Sequence, residues 1–393
     1  MISVEEALAR CLALTQILPP ETVPLRHSLG RVMAAPVCAQ LTQPPFAASA
    51  MDGYALGRIA GVGDGFDVMG EAGAGHAYAG QVLPHQATRI FTGAPVPDGA
   101  VSIAIQEDIT AVGAKITLNT TASAGDNIRP KGQDFAHGQV FQPPHPLRPN
   151  DLALLAAMNI PQFAVVRRPI VALMATGNEL VMPGESLRAD QIVASNTFAL
   201  AAMVEQLGGE ARILPIARDT EDHLRQVFAL TAGADLIVTI GGASVGDHDL
   251  VGKVATDLGM ERAFWKIAMR PGKPLMAGRV LGIPMLGLPG NPVSAIVCGH
   301  LFMLPMLRAM LGLTDCAPPM RQATLATDQP ANGPRTHYMR ARLGVGDAGQ
   351  TIAPFDRQDS ALLSILTEAD ALLIRPVNDG IRRAGERMDY IPL

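Results

Sequence analysis

The first residues place Val4, Ala7, Leu8, Cys11 and Leu12 at i, i+3 and i+4 intervals, which predicts an amphipathic helix over residues 4 to 17. Ser3 and Glu6 stand ahead of it in the spacing of a capping box. From about Val23 to Val166 this periodicity gives way to short alternating runs among Gly and Pro, such as Ala87-Thr88-Arg89-Ile90-Phe91 and Lys115-Ile116-Thr117-Leu118. Such runs predict short strands joined by turns. Pro143-Pro144-His145-Pro146 reads as a stiff connector, and Asp151 to Met158 as a helix returning from it.

The middle third differs in kind. Ile170 to Met174 is an unbroken apolar run, read as a buried strand, followed by a Gly turn and a helix from about Thr197 to Leu207 that Gly208 and Gly209 end. A strand at Arg212 to Ile216, a helix opened by Asp219, a strand at Leu236 to Ile240, a further helix and a strand at Ile283 to Leu288 complete the series. Strands alternating with helices predict a doubly wound parallel sheet, in which ligands bind beyond the carboxyl ends of the strands. Those ends carry Thr176-Gly177-Asn178-Glu179, Gly241 to Asp247 and Leu288-Pro289-Gly290-Asn291-Pro292.

Beyond Pro318-Pro319 alternation resumes, as in Thr336 to Arg342, so a small β-rich domain is expected there. Gly344-Val345-Gly346-Asp347-Ala348-Gly349 matches a dinucleotide fingerprint in letters only; it lies between strand-like runs with no helix after it, which makes it a hairpin. Val293 to Leu313 is apolar enough for a membrane span, but His300, Pro305 and Arg308 interrupt it, and the expectation is a buried helix. The expected architecture is a multidomain α/β chain. Residues 1–166 form an N-terminal region with helical parts and an inserted β-rich subdomain at about 46–140, residues 167–315 a central α/β domain, and residues 318–393 a C-terminal β domain.

Composition narrows this little further. The 48% hydrophobic and 17% charged content is that of a globular chain, and 393 residues suit several domains. A net charge of −5 gives no field that would draw the whole protein onto nucleic acid or anionic lipid, so any anion must be held locally. Cys11, Cys38, Cys298 and Cys316 show no CxxC spacing and suit a reducing compartment, the nine histidines form no HxH or HExxH spacing, and the acidic start resembles no secretory signal. A cytoplasmic location is the expectation.

Candidate chemistry sits at the strand ends. Gly241, Gly242, Ser244 and Gly246 follow a strand and precede a helix, where backbone N–H groups can line an anion-sized hollow; a tight turn needing Gly for positive φ is the plain alternative. Lys266, Arg270 and Lys273, stiffened by two prolines, could converge on an oxyanion or form a solvated basic loop, and spacing does not choose between these. Asn291 and Pro292 place Asn at an N-cap and Pro at the first helical position. Asp52, Asp134, Glu179, Asp219, Asp247 and Asp249 are carboxylates in turns or caps, of the kind that hold Mg²⁺ together with substrate phosphates. His248, between two aspartates, is the one histidine singled out.

Read as motifs, Ser49 to Ala55, Phe91 to Pro97, Ala175 to Leu180, Gly241 to Asp247, Phe264-Trp265-Lys266 with Arg270 to Pro274, and Gly287 to Ser294 resemble the MoeA family and the gephyrin E domain, in order along nearly the whole chain. The resemblance implies an elongated homodimer whose central domain binds molybdopterin. It also implies a transferase that takes adenylylated molybdopterin and molybdate, cleaves the pyrophosphate with Mg²⁺, releases AMP and leaves molybdenum on the dithiolene. Molybdopterin adenylyltransferase would be the upstream partner. By motif, Asp52, Thr92, Asp134, Glu179, Asp219 and Asp249 would serve substrate and Mg²⁺, with Asp52, Glu179 and Asp249 as metal ligands. Asp52, Asp134, Glu179, Asp219 and Lys266 would be catalytic. Gly241, Gly242, Ser244, Arg270, Lys273, Pro289, Asn291, Pro292, Ser294, Arg340 and Ser364 would serve phosphate, pterin or molybdate.

The resemblance further implies that Asp52 acts on the central site of the other subunit. Asn178, Gln133 and Arg270 depart from the family's usual residues. A catalytically silent scaffold and a molybdopterin adenylyltransferase are the alternatives. Retention of Asp52, Glu179 and Lys266 speaks against the first, and the regions flanking the central domain against the second.

Overall fold

The computed structural model describes residues 1–242, 250–346 and 349–393. Its centre is a six-stranded sheet in the order Glu210–Ile213, Ile170–Ala175, Leu236–Ile240, Ile283–Leu288, Met276–Val280, Glu261–Trp265. The first four strands are parallel, as the βα alternation predicts, and the last two extend the sheet antiparallel. Side chains alternate between its faces with period two. Val171 and Leu173 enter one apolar core, Ala172 and Met174 the other. Helices Glu221–Ala229 and Leu250–Asp257 cover the second face. Helix Asn196–Gln206 and the long helix from Pro292 to Met310 cover the first.

That long helix is 19 residues, and 72% of its apolar window is buried inside the protein. It is a core element, as its interrupting residues predict, and a π-helical turn at Gly299–Met303 lies just ahead of Pro305. Each fully buried Leu or Phe on it contributes about 1.5–3 kcal/mol relative to exposure.

The first helix spans Val4–Ala13 and stops short of residue 17, because Leu18 already donates its N–H to the Met310 carbonyl and draws the chain away. Ser3 caps Glu6 as expected, while the Glu6 carboxylate turns to Arg10 instead of completing the box. Val4, Ala7 and Cys11 are buried in the central core, and Arg10 donates to the Ala263 carbonyl. The chain therefore begins on the central sheet before it enters the N-terminal region.

That region holds a second six-stranded sheet, ordered Ser102–Ile105, Gly53–Leu56, Gln86–Ile90, Gly65–Ala72, Lys115–Leu118, Ile109–Val112. A third sheet, in the C-terminal region, pairs Arg321–Leu325, Thr336–Gly346, Gly349–Pro354, Ala371–Arg375 and Arg387–Pro392. Thr336–Gly346 and Gly349–Pro354 pair antiparallel up to Gly346 and Gly349, as a hairpin in place of the fingerprint requires. The short strand Met269–Arg270 runs parallel to Thr336–His337, which stitches the basic segment of the central domain onto this third sheet. That segment is thus no free solvated loop.

Candidate active site

At the carboxyl ends of the parallel strands lies a cavity of about 880 Å³. Thr176, Gly177 and Glu179 follow the first strand of the domain, Gly241 and Gly242 the strand ending at Ile240, and Pro289, Gly290, Asn291 and Pro292 the strand ending at Leu288. Asp219, Ser195 and Asn196 complete the wall. The expected position holds because every parallel strand delivers its following loop to the same edge.

Within this cavity two carboxylates are held differently. Glu179 folds back over Gly177, where φ is +144° and a Cβ would stand 2.3 Å from the Glu179 Oε2. The positive φ favours glycine, and a side chain there would push that carboxylate aside. Asp219 does not open the following helix; Thr220 caps it by accepting from the His223 N–H. Asp219 instead accepts the Asn178 N–H at 3.1 Å while its own N–H donates to the Asn178 side-chain oxygen at 3.2 Å. Asn178 suits this exchange, since a carboxylate there would set a second negative charge beside Asp219. Arg218 fixes the same loop by donating to the Leu180 carbonyl at 3.0 Å. Asn291 occupies the N-cap position of its helix without a side-chain cap bond, and the turn is held by Asn196, which donates to the Gly290 carbonyl at 2.7 Å.

A second chamber of about 330 Å³ shares Pro274 and Asn291 with the first. Arg270, Lys273, Ser294 and Arg335 line it, with Gln358, Asp359 and Ser360. Lys266 does not line it. Its backbone is left-handed, at φ +67°, and its Nζ lies 4.1 Å from the centroid of the Trp265 ring. Arg335, from the C-terminal region, supplies the third cation.

Arg340 also differs from expectation: it is almost fully buried, and its guanidinium donates to the carbonyls of Arg357 and Leu362 and to the Gln358 side chain. It braces the loop that brings Gln358 to Ser360 to the chamber. Ser364 lies exposed on the helix Leu363–Thr367, outside the chamber wall, and Ser360 stands in its place. Below the chamber, His337 is buried and held neutral, its pKa pushed down to about 4 by burial and by the positive field of Arg270, Arg375, Arg335 and Arg340.

The remaining carboxylates belong to the N-terminal region. Asp52 lies in the turn before strand Gly53–Leu56, and its Oδ1 accepts both the N–H and the hydroxyl of Thr92 at 2.7 Å. The Thr92 N–H first, then its hydroxyl, keep the Asp52 carboxyl below the ordinary aspartate value, with the charge of Arg89 adding to the effect. Next to Thr92, Gly93 lines a cavity of about 510 Å³ with Arg129, Gln133 and Asp134. This cavity shares no lining residue with the two central chambers.

Ser244, Asp247, His248 and Asp249 lie outside the described residues. Among the described residues no three His, Cys, Asp or Glu side chains cluster as a metal site. Sequence reading missed Arg335, Asp359, Ser360, Ser195 and Asn196. The first three are brought in by pairing of the C-terminal sheet, which leaves no local signal, and Asn196 is distinguishable from an ordinary helix start only by its bond to Gly290.

Comparison with known proteins matches three family models along the chain: MoeA N-terminal region (domain I and II) over residues 2–159, a probable molybdopterin binding domain over 172–309, and MoeA C-terminal region (domain IV) over 322–393. A molybdopterin molybdenumtransferase of Staphylococcus aureus (strain MSSA476) is 30% identical over 398 residues, covering 99% of this chain and 95% of the relative. One from Nostoc sp. is 33% identical, covering 93% and 87%. Two structures of the molybdopterin biosynthesis MoeA protein from Pyrococcus horikoshii superpose with TM-scores of 0.85 and 0.86 at 28% and 25% identity, each over the whole of this chain. Matched end to end in sequence and in fold, the chain belongs to the MoeA family of molybdenum cofactor biosynthesis proteins.

Proposed function

We propose that this protein is a molybdopterin molybdenumtransferase, which inserts molybdate into adenylyl-molybdopterin and releases AMP. The observation that carries this reading is the adjoining pair of chambers: a large cavity with two carboxylates shares Pro274 and Asn291 with a smaller one lined by Arg270, Lys273 and Arg335. A bulky adenylylated pterin needs the first volume. A small oxyanion needs the second, where cations in a partly enclosed site act more strongly than in water.

In this reading the backbone around Gly241, Gly242 and Asn291 seats the substrate at the strand ends. Arg270 forks onto paired oxyanion oxygens while Lys273 acts as a point charge and Ser294 donates its hydroxyl. Glu179 and Asp219 are the described carboxylates on which Mg²⁺ would sit, with substrate phosphate completing its shell. A two-carboxylate set suits this cation, which keeps waters and borrows phosphate oxygens. Bound there, Mg²⁺ would neutralise the pyrophosphate as AMP leaves. Lys266, turned toward Trp265, and Arg340, occupied beneath its loop, serve the site by shaping it.

Asp52, Thr92 and Asp134 come to the reaction from a second subunit. The hydrogen bonds of Asp52 and Thr92 stay within the N-terminal region, and the Asp134 cavity is separate from the central pair, which supports a homodimer completing each site in trans. The enzyme is read as cytoplasmic, receiving its substrate from a molybdopterin adenylyltransferase.

AMP release from adenylylated molybdopterin with Mg²⁺, with and without molybdate, tests the reading for the native protein and Asp52→Ala. Molybdate-dependent release that the variant loses is expected. Tight binding of substrate with no release would replace the enzyme by a silent scaffold.

A further inference from the structure

We propose that Arg89 is a positioning residue for Asp52, its guanidinium bracing both sides of the turn that presents the carboxylate. The inference rests on the reading that Asp52 meets the substrate. Arg89 lies on strand Gln86–Ile90, directly across from Tyr54 and three residues before Thr92. Its Nη1 donates to the Gly53 carbonyl at 3.2 Å and its Nη2 to the Gln106 side-chain oxygen at 2.6 Å. The Gln106 backbone N–H in turn donates to the Asp52 carbonyl at 3.1 Å. One planar group therefore ties the residue after Asp52 to the residue that holds the Asp52 backbone.

The guanidinium is itself fixed in orientation. It lies 4.9 Å from the centroids of both the Tyr54 and the Phe91 rings. A planar fork that stacks on rings while donating in two directions is an arginine property that lysine does not reproduce. Two carboxylates stand close by, Glu71 opposite Arg89 on the neighbouring strand and Glu107 beside Gln106. Neither forms an ion pair with Arg89 among the described residues, so the guanidinium is committed to the turn. Strand packing keeps the residue after Asp52 bare: a Cβ at Gly53 would stand 1.9 Å from the Ala104 carbonyl oxygen, so this position stays glycine.

Asp52 feels two groups directly, Thr92 through both hydrogen bonds and Arg89 through its charge. If the turn loosens, the two Thr92 bonds lengthen and the Asp52 carboxylate loses its fixed direction. The test is the amide ¹H shift of Thr92, whose N–H donates to Asp52, in ¹⁵N-threonine-labelled protein, assigned by its loss in Thr92→Ser and read in the full-length native protein, Arg89→Gln, Arg89→Lys and Gln106→Ala. AMP release is measured on the same samples.

The expected result for Arg89→Gln is an upfield move of the Thr92 amide proton, as its bond to Asp52 weakens, and a fall in kcat of about tenfold or more, with KM for the adenylylated pterin within about twofold, as misplacement of a positioned group produces. Arg89→Lys should recover little, because one ammonium cannot reach both acceptors. Gln106→Ala, at an exposed side chain, should shift both readouts in the same direction by less, and carries the test if Arg89→Gln does not fold. An unchanged Thr92 amide shift and kcat in Arg89→Gln, or full recovery by Arg89→Lys, would overturn the brace. Should the native protein release no AMP, the proposed function falls, while the Thr92 amide shift still decides whether Arg89 holds the turn of Asp52.

Discussion

The central cavity and the Asp52 patch present carboxylates by opposite means. Around the cavity, positions follow from topology: parallel strands end at one edge, and their loops bring Glu179, Asp219, Gly242 and Asn291 together from a stretch of chain more than a hundred residues long. At the patch, Asp52 is placed by a local net of side-chain and backbone bonds from Thr92, Gln106 and Arg89. A site made by strand ends tolerates change in any one loop better than a site hung on a few hydrogen bonds. Its weak points should be where a loop has no room to give.

The strongest test of the contrast removes one carboxylate from each region. Asp52→Ala and Glu179→Ala are each expected to lower molybdate-dependent AMP release by about a hundredfold or more, consistent with losing a charged group at the reacting centre. Mixed after co-refolding in equal amounts, the two variants should regain roughly a quarter of native activity, since half the dimers would carry one intact composite site. No recovery would mean that each site is built within one chain.

Arg340→Ala comes next. With its bonds to Arg357, Leu362 and Gln358 gone, the loop over the cationic chamber loses its anchor. A loss of about 3 kcal/mol is expected from unmaking buried charge-assisted bonds, read in denaturant unfolding, together with weaker molybdate binding.

Gly177→Ala sharpens the point about loops with no room. The added methyl collides with the Glu179 carboxylate and strains a φ of +144°, for about 1–2 kcal/mol and a roughly tenfold loss of activity. The matched change Gly93→Ala, at φ +83° but with open space around it, should strain the backbone without displacing Asp134.

Close to neutral pH the smallest effect is that of protonation, which grows only as the solution is acidified. His300 and His337 are both pushed down to about 4, by burial first and then by Arg308 or by the arginines around the chamber. Their folded pKa values lie below the ordinary 6.5, so the unfolded chain takes up protons that the folded chain refuses. The stability they favour is present above about pH 6.5 and is lost as pH falls toward 4, at up to about 1.4 kcal/mol per pH unit for each histidine. Thermal unfolding across that window should show the slope, and His337→Gln should remove about half of it.

How much of this was legible follows the same division. The βα alternation and the buried run Ile170 to Met174 gave the central sheet and the edge where the cavity lies, because period and strand order are properties of the chain itself. Gly, Asn and Pro at the strand ends gave its lining for the same reason. The two antiparallel strands, Glu261–Trp265 and Met276–Val280, were not anticipated, since such short runs on either side of a basic segment carry no clear period. Lys266 looked like a third cation for the oxyanion because spacing cannot show which way a left-handed residue turns its side chain.

Sequence alone determined the order of elements, the face each apolar residue seeks and the motifs that identify the family. These depend on neighbours within a few positions, where periodicity and turn chemistry act. The tertiary structure alone decided that Arg335 and Ser360 enter the cationic chamber, that Arg340 is committed beneath it, that the first helix packs on the central sheet, and that Arg89 reaches around Asp52. Each of these is a contact between distant segments, fixed by sheet pairing and by the need of buried polar groups for partners, and neither leaves a trace at fixed spacing along the chain.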